Sequence, residues 1–184
     1  IAGETTVQKS WDKIFKHFNN KKGLGEVGYT PDQTIFIKVN QGTGSWLIDQ
    51  NTMNPNTQTW AKAYYGTAET SPQAILAVVH QLVAGCGVPQ EMIYIGDPIA
   101  HLYQYTIDVI KAEYPNVKFF DRNISKTGRT VTKGLTVSSV IYYSDKGKEM
   151  PDAVSDRMYK EMYEADYLVN IAALKAHARA GITL

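Results

Sequence analysis

The sequence has few of the features that would place it in a protein class at once. Of its 184 residues only one, Cys86, is a cysteine. An intramolecular disulfide is therefore excluded, and so is a zinc or iron–sulfur site whose ligands are all cysteines of this chain. The 19 Lys and Arg residues nearly balance the 18 Asp and Glu residues, for a net charge of +1. We therefore expect no nucleic-acid partner, because phosphate-backbone binding needs a concentrated basic surface.

Long apolar runs and the common nucleotide and hydrolase motifs are absent as well. No apolar run approaches the ~20 residues that cross a bilayer, so no membrane span is predicted. No Gly-x-Gly-x-x-Gly opens a helix after a strand, and neither a phosphate-binding P-loop nor a Gly-x-Ser-x-Gly elbow occurs. The spacing of His, Cys and acidic residues predicts no metal site. Cofactor and oligomeric state do not follow from the sequence.

Apolar periodicity predicts an alternation of helices and strands. One helical stripe on residues 6–19 predicts an amphipathic helix packed on a core. Its members are Val7, Trp11, Ile14, Phe15 and Phe18. Short β-rich runs between turn residues predict strands, and broader apolar faces predict further helices. The predicted strands are 34–39, 92–97, 117–121 and 167–172, and the further predicted helices are 71–84, 102–113 and 151–163.

This order predicts an α/β fold in three layers, with a mostly parallel sheet and flanking helices. Strand–helix–strand alternation is typical of parallel strands joined by right-handed crossovers. Alternating residues 130–143, with a turn at 145–147, predict a small β-hairpin insertion. Residues 1–184 are predicted to form a single domain. Because the chain opens at Ile1 and stops on an apolar segment, we expect an N-terminal fragment of a longer protein.

Polar residues stand where the predicted strands end. Lys38 and Asn40 close the first strand, Asp97 closes the second and Asn170 lies in the last. The carboxyl ends of parallel strands meet at one edge, and ligands bind beyond it. Lys38, Asn40 and Asn170 are therefore predicted to bind substrate, and Asp97 is predicted to act in catalysis as a base, an orienting group or a coordinating carboxylate. The alternative for Asp97 is to cap the following helix, since Asp at such turns binds backbone N–H groups.

Lys175 and His177 follow the last predicted strand. In an extended segment, residues two apart share a face, so an ammonium and an imidazole could serve one ligand. His177 is predicted to carry a proton near neutral pH, with Lys175 binding an anionic oxygen beside it. The alternative is a solvated basic loop with no ligand.

The segment 40–69 offers a different function. It is too long for an ordinary connection and rich in aromatic residues, which bury much area against sugar rings or peptides. A non-catalytic glycan- or peptide-binding module is therefore the alternative to an enzyme. Its aromatic residues are Trp46, Trp60, Tyr64 and Tyr65.

An ordered set of segments resembles the domain-of-unknown-function 362 family, in its Bacteroidetes-type exported form. The segments are 35–40, 69–73, 87–97, 165–171, 174–177 and 181–184. The resemblance implies an α/β fold with no settled activity, and an extracytoplasmic (periplasmic or secreted) location. Some members carry a separate ferredoxin-like iron–sulfur domain, so any cluster associated with this chain must come from elsewhere.

Together these residues predict an enzyme that acts on a small anionic substrate, a carboxylate or a phosphate. The site would lie at the carboxyl edge of the sheet, where both the topology and the resemblance place it.

Overall fold

A computed structural model describes residues 3–41, 53–54, 59–60, 69–97, 100, 102–121, 129–134, 141–142, 155–156, 158–177 and 181–183. Its helices are α1 (Val7–Lys21), α2 (Pro72–His80), α3 (Gln104–Lys111) and α4 (Lys160–Glu164). Its strands are β1 (Ile35–Val39), β2 (Met53–Asn54), β3 (Thr59–Trp60), β4 (Ile93–Gly96), β5 (Lys118–Asp121), β6 (Arg129–Val131), β7 (Ile141–Tyr142), β8 (Ser155–Asp156), β9 (Tyr167–Ile171), β10 (Lys175–His177) and β11 (Gly181–Thr183).

Five strands form one sheet in the order β6-β5-β4-β1-β9, and every neighbouring pair is parallel. The predicted α/β fold is thereby confirmed. The chain moves outward from β1 through β4 and β5 to β6, and then returns to β9 on the far side of β1. Because such crossovers are right-handed, we expect the return connection, which includes α4, on the face opposite to the outward crossovers. That arrangement is consistent with three layers.

Local sequence explains where the helices begin and end. Thr6 Oγ1 accepts the Lys9 N–H at 3.2 Å and so caps α1. Ser71 Oγ accepts the Ala74 N–H at 3.2 Å in front of Pro72, the first residue of α2. After α2, a π-helical turn (Gln81–Gly85) leads to Gly87, whose φ of +71° ends the helical segment at little steric cost.

The two faces of the sheet differ. On the helix face, defined by Ile35, Ile37, Val39, Ile93, Ile95 and Phe119, the strands share one buried core with α1, α2 and α3. These helices contribute Phe15, Ile75, Val79, Ile107 and Ile110. The opposite face carries the alternate strand residues, because successive side chains point to opposite sides. The alternate residues include Phe36, Lys38, Tyr94, Gly96, Phe120, Leu168 and Asn170.

Gly96 is required by packing on the opposite face. The Phe36 and Phe120 rings lie with centroids 6.3 Å apart. A Cβ on Gly96 would stand 3.0 Å from both the Phe120 carbonyl oxygen and Phe36 Cζ. Since the carbonyl belongs to a paired strand and cannot move aside cheaply, any side chain at this position would strain the sheet.

The apolar stripe of α1 is buried less than the sequence predicts. Phe15 is 3% exposed and packs edge-on against Tyr167, with ring centroids 4.8 Å apart. Val7 and Ile14 remain 48% and 45% exposed. Only the central part of the stripe therefore reaches the core.

The region after β5 also differs from the prediction. Residues 129–131 do not pair with a hairpin partner but join the parallel sheet as β6, with Arg129 in register with Phe119. A small antiparallel pair is present, formed by β7 and β8. Residues 155–156 are therefore strand, and among the described residues of the helix predicted at 151–163 only those in α4 are helical. Short segments are ambiguous in periodicity, and strand pairing decided between the alternatives here.

Candidate functional site

Two predicted binding residues come together on the opposite face, just inside the carboxyl edge. Lys38 in β1 is in register with Gly96 in β4 on one side and with Asn170 in β9 on the other. Cross-strand neighbours on one face have Cβ atoms about 5 Å apart. Lys38 is half-buried and Asn170 is exposed. Gly96 is buried, because Phe36 and Phe120 fill the space where its side chain would stand.

Neither of these polar side chains has a partner among the described residues. Within the ranges that the structure describes, Lys38 Nζ and the side-chain amide of Asn170 form no hydrogen bond and no ion pair. Three other lysines show the contrast: Lys13, Lys16 and Lys160 each lie near a carboxylate, at 3.1, 2.7 and 3.9 Å. An ammonium and an amide left together in this way can bind an anionic oxygen.

The helix face of the same edge contains a buried polar network, which we call the first edge network. Asp97, 2% exposed, accepts the Gln41 backbone N–H at 2.7 Å through Oδ2. The Gln41 amide donates to the Thr70 carbonyl oxygen at 3.1 Å. The Thr70 hydroxyl accepts the Asn40 N–H at 2.9 Å and donates to the Ile171 carbonyl oxygen at 2.7 Å. The network thus joins the ends of β1, β4 and β9 to the start of α2.

This geometry bears on two predicted site residues. Asp97 anchors the backbone where β1 ends, a role that differs from both helix capping and catalysis. Its catalytic role stays a prediction. Asn40 is held through its backbone, since its N–H and its carbonyl oxygen both bond to Thr70. Gln41 and Thr70 were not predicted as site residues. Their hydrogen-bond partners lie too far along the chain for residue spacing to reveal them.

A second edge network lies under the start of α3. Asp121 Oδ2 accepts the Leu102 N–H at 3.0 Å and lies 3.4 Å from Arg129 Nε. Arg129 Nη2 donates to the Leu102 carbonyl oxygen at 2.6 Å. Thr132 donates to the Asp121 carbonyl oxygen through both its N–H, at 2.7 Å, and its hydroxyl, at 3.1 Å. Burial lowers the pKa of Arg129, while the Asp121 carboxylate acts in the other direction.

Lys175 and His177 lie in a strand rather than in a loop. They occupy alternate positions of β10, which pairs antiparallel with β11 so that Lys175 faces Thr183 and His177 faces Gly181 in register. The extended spacing that the shared-face prediction requires is therefore present. β10 begins four residues after β9 ends, so it continues from the strand that carries Asn170.

Most of the aromatic segment lies outside the described residues. Of 40–69, the structure describes 40–41, the antiparallel pair of β2 and β3, and residue 69. Trp46, Tyr64 and Tyr65 fall outside, so the glycan- or peptide-binding alternative stays a prediction. Other residues that follow predicted strands, His101, Arg122 and Arg179, also fall outside.

Packing creates a cleft far from the predicted site. It has a volume of about 270 Å³ and lies between α1, the turn before β1 and the segment before β4. Burial raises the pKa of the Cys86 thiol, which disfavours the nucleophilic thiolate, and raises the pKa of Tyr29 to about 12. The lining residues are Gln8, Lys9, Asp12, Phe15, Tyr29 and Cys86.

The described residues contain neither a metal-binding cluster nor a helix that could span a membrane. No three His, Cys, Asp or Glu side chains among them come together in a way that could hold a metal ion. None of the helices in the described ranges is both long and apolar enough to cross a membrane.

Comparison with known proteins adds no identification. No family model, no curated protein sequence and no solved structure matches the chain.

Proposed function

We propose that the chain binds a small anionic ligand, a carboxylate or a phosphate, at the carboxyl edge of its parallel sheet on the opposite face. One observation carries the proposal: Lys38 lies in register beside Asn170 on the same face, and neither polar side chain has a partner among the described residues. The topology supports the same proposal, because parallel sheets bind ligands beyond the carboxyl ends of their strands.

Lys38 and Asn170 divide the work of binding. The Lys38 ammonium supplies a positive charge that a carboxylate or phosphate oxygen can approach. The Asn170 amide adds two N–H donors and one acceptor, which can orient a ligand that carries a hydroxyl next to its charged group.

The proposal includes a catalytic extension. His177 would transfer a proton near neutral pH, Lys175 would bind the same anion from β10, and Asp97 would act from the first edge network. The extension is supported by the short connection from β9 to β10 and by the alternate positions of Lys175 and His177. Its substrate would be a small anion whose reacting carbon or oxygen bears an exchangeable proton.

The resemblance to the domain-of-unknown-function 362 family belongs to the same proposal. It falls on the segments that supply Lys38, Asn170, Lys175 and His177. It implies an extracytoplasmic location and, in some members, an iron–sulfur domain on the same protein, which here would be a partner to this domain.

The test is a thermal-shift and calorimetric screen of the chain against inorganic phosphate, acetate and succinate at matched ionic strength. We expect at least one anion to raise the melting temperature, and Lys38→Met to weaken its binding about tenfold or more, as expected when a charged hydrogen-bonding partner is lost. Lys21→Met is the matched control, because Lys21 is exposed at the end of α1. Lys175→Met tests the contribution of β10.

The proposal is wrong if no anion binds, or if Lys38→Met and Lys175→Met both bind as wild type does. The catalytic extension has its own test. His177→Ala should retain binding but remove any pH dependence of activity near neutrality.

A further inference from the structure

The cleft beside α1 lies away from Lys38, which stands near the carboxyl end of β1. Its walls come from α1 and from the segments that carry Tyr29 and Cys86, which lead into the amino ends of β1 and β4. Its volume is about 270 Å³. Since an apolar cavity of about 150 Å³ can hold benzene, the cleft has room for one aromatic ring with an attached polar group.

The walls of this cleft are held in place by hydrogen bonds within the protein. Trp11 Nε1 donates to the side-chain oxygen of Gln81 at 3.0 Å, which joins α1 to the π-helical turn before Cys86. The Tyr29 hydroxyl donates to the Gln33 carbonyl oxygen at 3.0 Å, so its ring is fixed as well. Because these bonds need no ligand, the cleft is formed in advance, as most small-molecule sites are.

The buried end of the cleft suits an aromatic ring. Phe15 is buried, Tyr29 and Cys86 are half-buried, and the two ring centroids lie 5.5 Å apart with their planes tilted by 40°. Burial raises the pKa of the Cys86 thiol, so the sulfur stays neutral and behaves as a small polarizable apolar group. Aromatic rings pack favourably against other rings and against sulfur.

The mouth of the cleft, formed by the exposed Gln8, Lys9 and Asp12, favours an anion. Asp12 Oδ2 already lies 2.7 Å from Lys16 Nζ. Asp12 Oδ1 lies against Gly28, where a Cβ would stand only 2.8 Å from it. Lys9, in contrast, has no carboxylate partner among the residues that the structure describes. The ammonium groups therefore outweigh the carboxylate here, and an incoming carboxylate would meet a positive charge.

We propose that this cleft binds a small aromatic carboxylate. The ring packs against Phe15, Tyr29 and Cys86 in the buried end. The carboxylate lies in the mouth, where the Lys9 ammonium binds it and the Gln8 amide offers a further N–H donor. The site does not rest on the function proposed above, because it lies at the amino ends of the strands and requires a ring.

The experiment uses Cys86 as the reporter, because it is the only cysteine of the chain. The rate of its alkylation by iodoacetamide is followed by mass spectrometry of the whole chain, with benzoate, acetate or benzyl alcohol at equal millimolar concentration and matched ionic strength. We expect benzoate to slow alkylation several-fold. Acetate lacks the ring and benzyl alcohol lacks the charge, so each should protect Cys86 much less.

Variants then test the mouth. Lys9→Met should weaken benzoate binding about threefold or more, as expected for an exposed charged partner, whereas Lys21→Met at the end of the same helix should not. Lys38→Met should leave the protection of Cys86 unchanged, which separates this site from the one at the carboxyl edge.

Three results would overturn the proposal. Benzoate might leave the alkylation rate of the wild type unchanged, in which case nothing enters the cleft. Equal protection by acetate or by benzyl alcohol would show that the ring or the charge plays no part. Loss of protection in Lys38→Met, or equal losses in Lys9→Met and Lys21→Met, would show that benzoate acts from elsewhere.

Discussion

At the carboxyl edge, the helix face carries Asp97, Asp121 and Arg129, whereas the opposite face carries Lys38 and Asn170. The first three are buried and bonded to backbone groups of other segments. The last two reach the surface and have no partner among the described residues. A polar group that folding removes from water needs a protein partner, whereas one left in water needs none and can bind a ligand. Burial thus separates groups that stabilise the edge from groups available for binding.

The largest change in stability that tests this comparison is expected from a substitution of Asp121. Asp121→Asn would leave the buried Arg129 charge without a carboxylate, so we expect the free energy of unfolding to fall by about 3–5 kcal/mol. Urea denaturation measures the change. Glu164→Gln is the control, because the Lys160–Glu164 pair at 3.9 Å is exposed and such pairs contribute little. Equal losses in the two variants would show that burial does not separate the two kinds of pair.

Substitution of Asp97 should cause the next largest loss of stability, and it distinguishes an anchoring role from a catalytic one. Asp97→Ala leaves the Gln41 N–H without its acceptor, so we expect a loss of about 1–3 kcal/mol of stability. Asp97→Asn retains an oxygen acceptor and should lose less. The measurement is urea denaturation together with the anion titration. If Asp97→Ala is as stable as wild type yet inactive, the anchoring role is wrong and the catalytic prediction gains support.

The smallest effect is expected on the opposite face. Asn170→Ala removes an exposed side chain without a described partner and should change stability by no more than about 0.5 kcal/mol, while weakening anion binding. Asn19→Ala is the matched substitution in a buried setting, since Asn19 donates to the Val27 carbonyl oxygen at 2.7 Å and to the Tyr167 hydroxyl at 2.9 Å. We expect the buried variant to lose about 1–3 kcal/mol. A reversed order in urea denaturation would contradict the distinction between buried and exposed polar groups.

The main strands were predictable because each is a short β-rich run between turn residues. β1, β4, β5 and β9 all fall within the predicted ranges. β6 was not recognised as a sheet strand, because three residues carry too little periodicity and their parallel pairing with β5 leaves no local pattern in the sequence. The predicted helix at 151–163 was too long for a similar reason: residues 155–156 pair with β7 instead.

The candidate site was predictable in location more than in composition. Lys38 and Asn170 could be placed at one edge because parallel strands align their carboxyl ends, and the register makes them neighbours. Arg129 could not be found in this way, since it begins a strand and reaches the edge only through the length of its side chain. Gln41 and Thr70 carry no chemical signature, and their role depends on distant backbone groups.

By itself, the sequence determined the alternation of strands and helices, the caps at Thr6 and Ser71, and the polar residues at the strand ends, because each depends on near neighbours. The tertiary structure decided which of those polar residues remain available. Asp97 bonds to a residue 56 positions away, and Thr70 to one 101 positions away. Such partners are brought together only when the sheet assembles, and no local pattern encodes them.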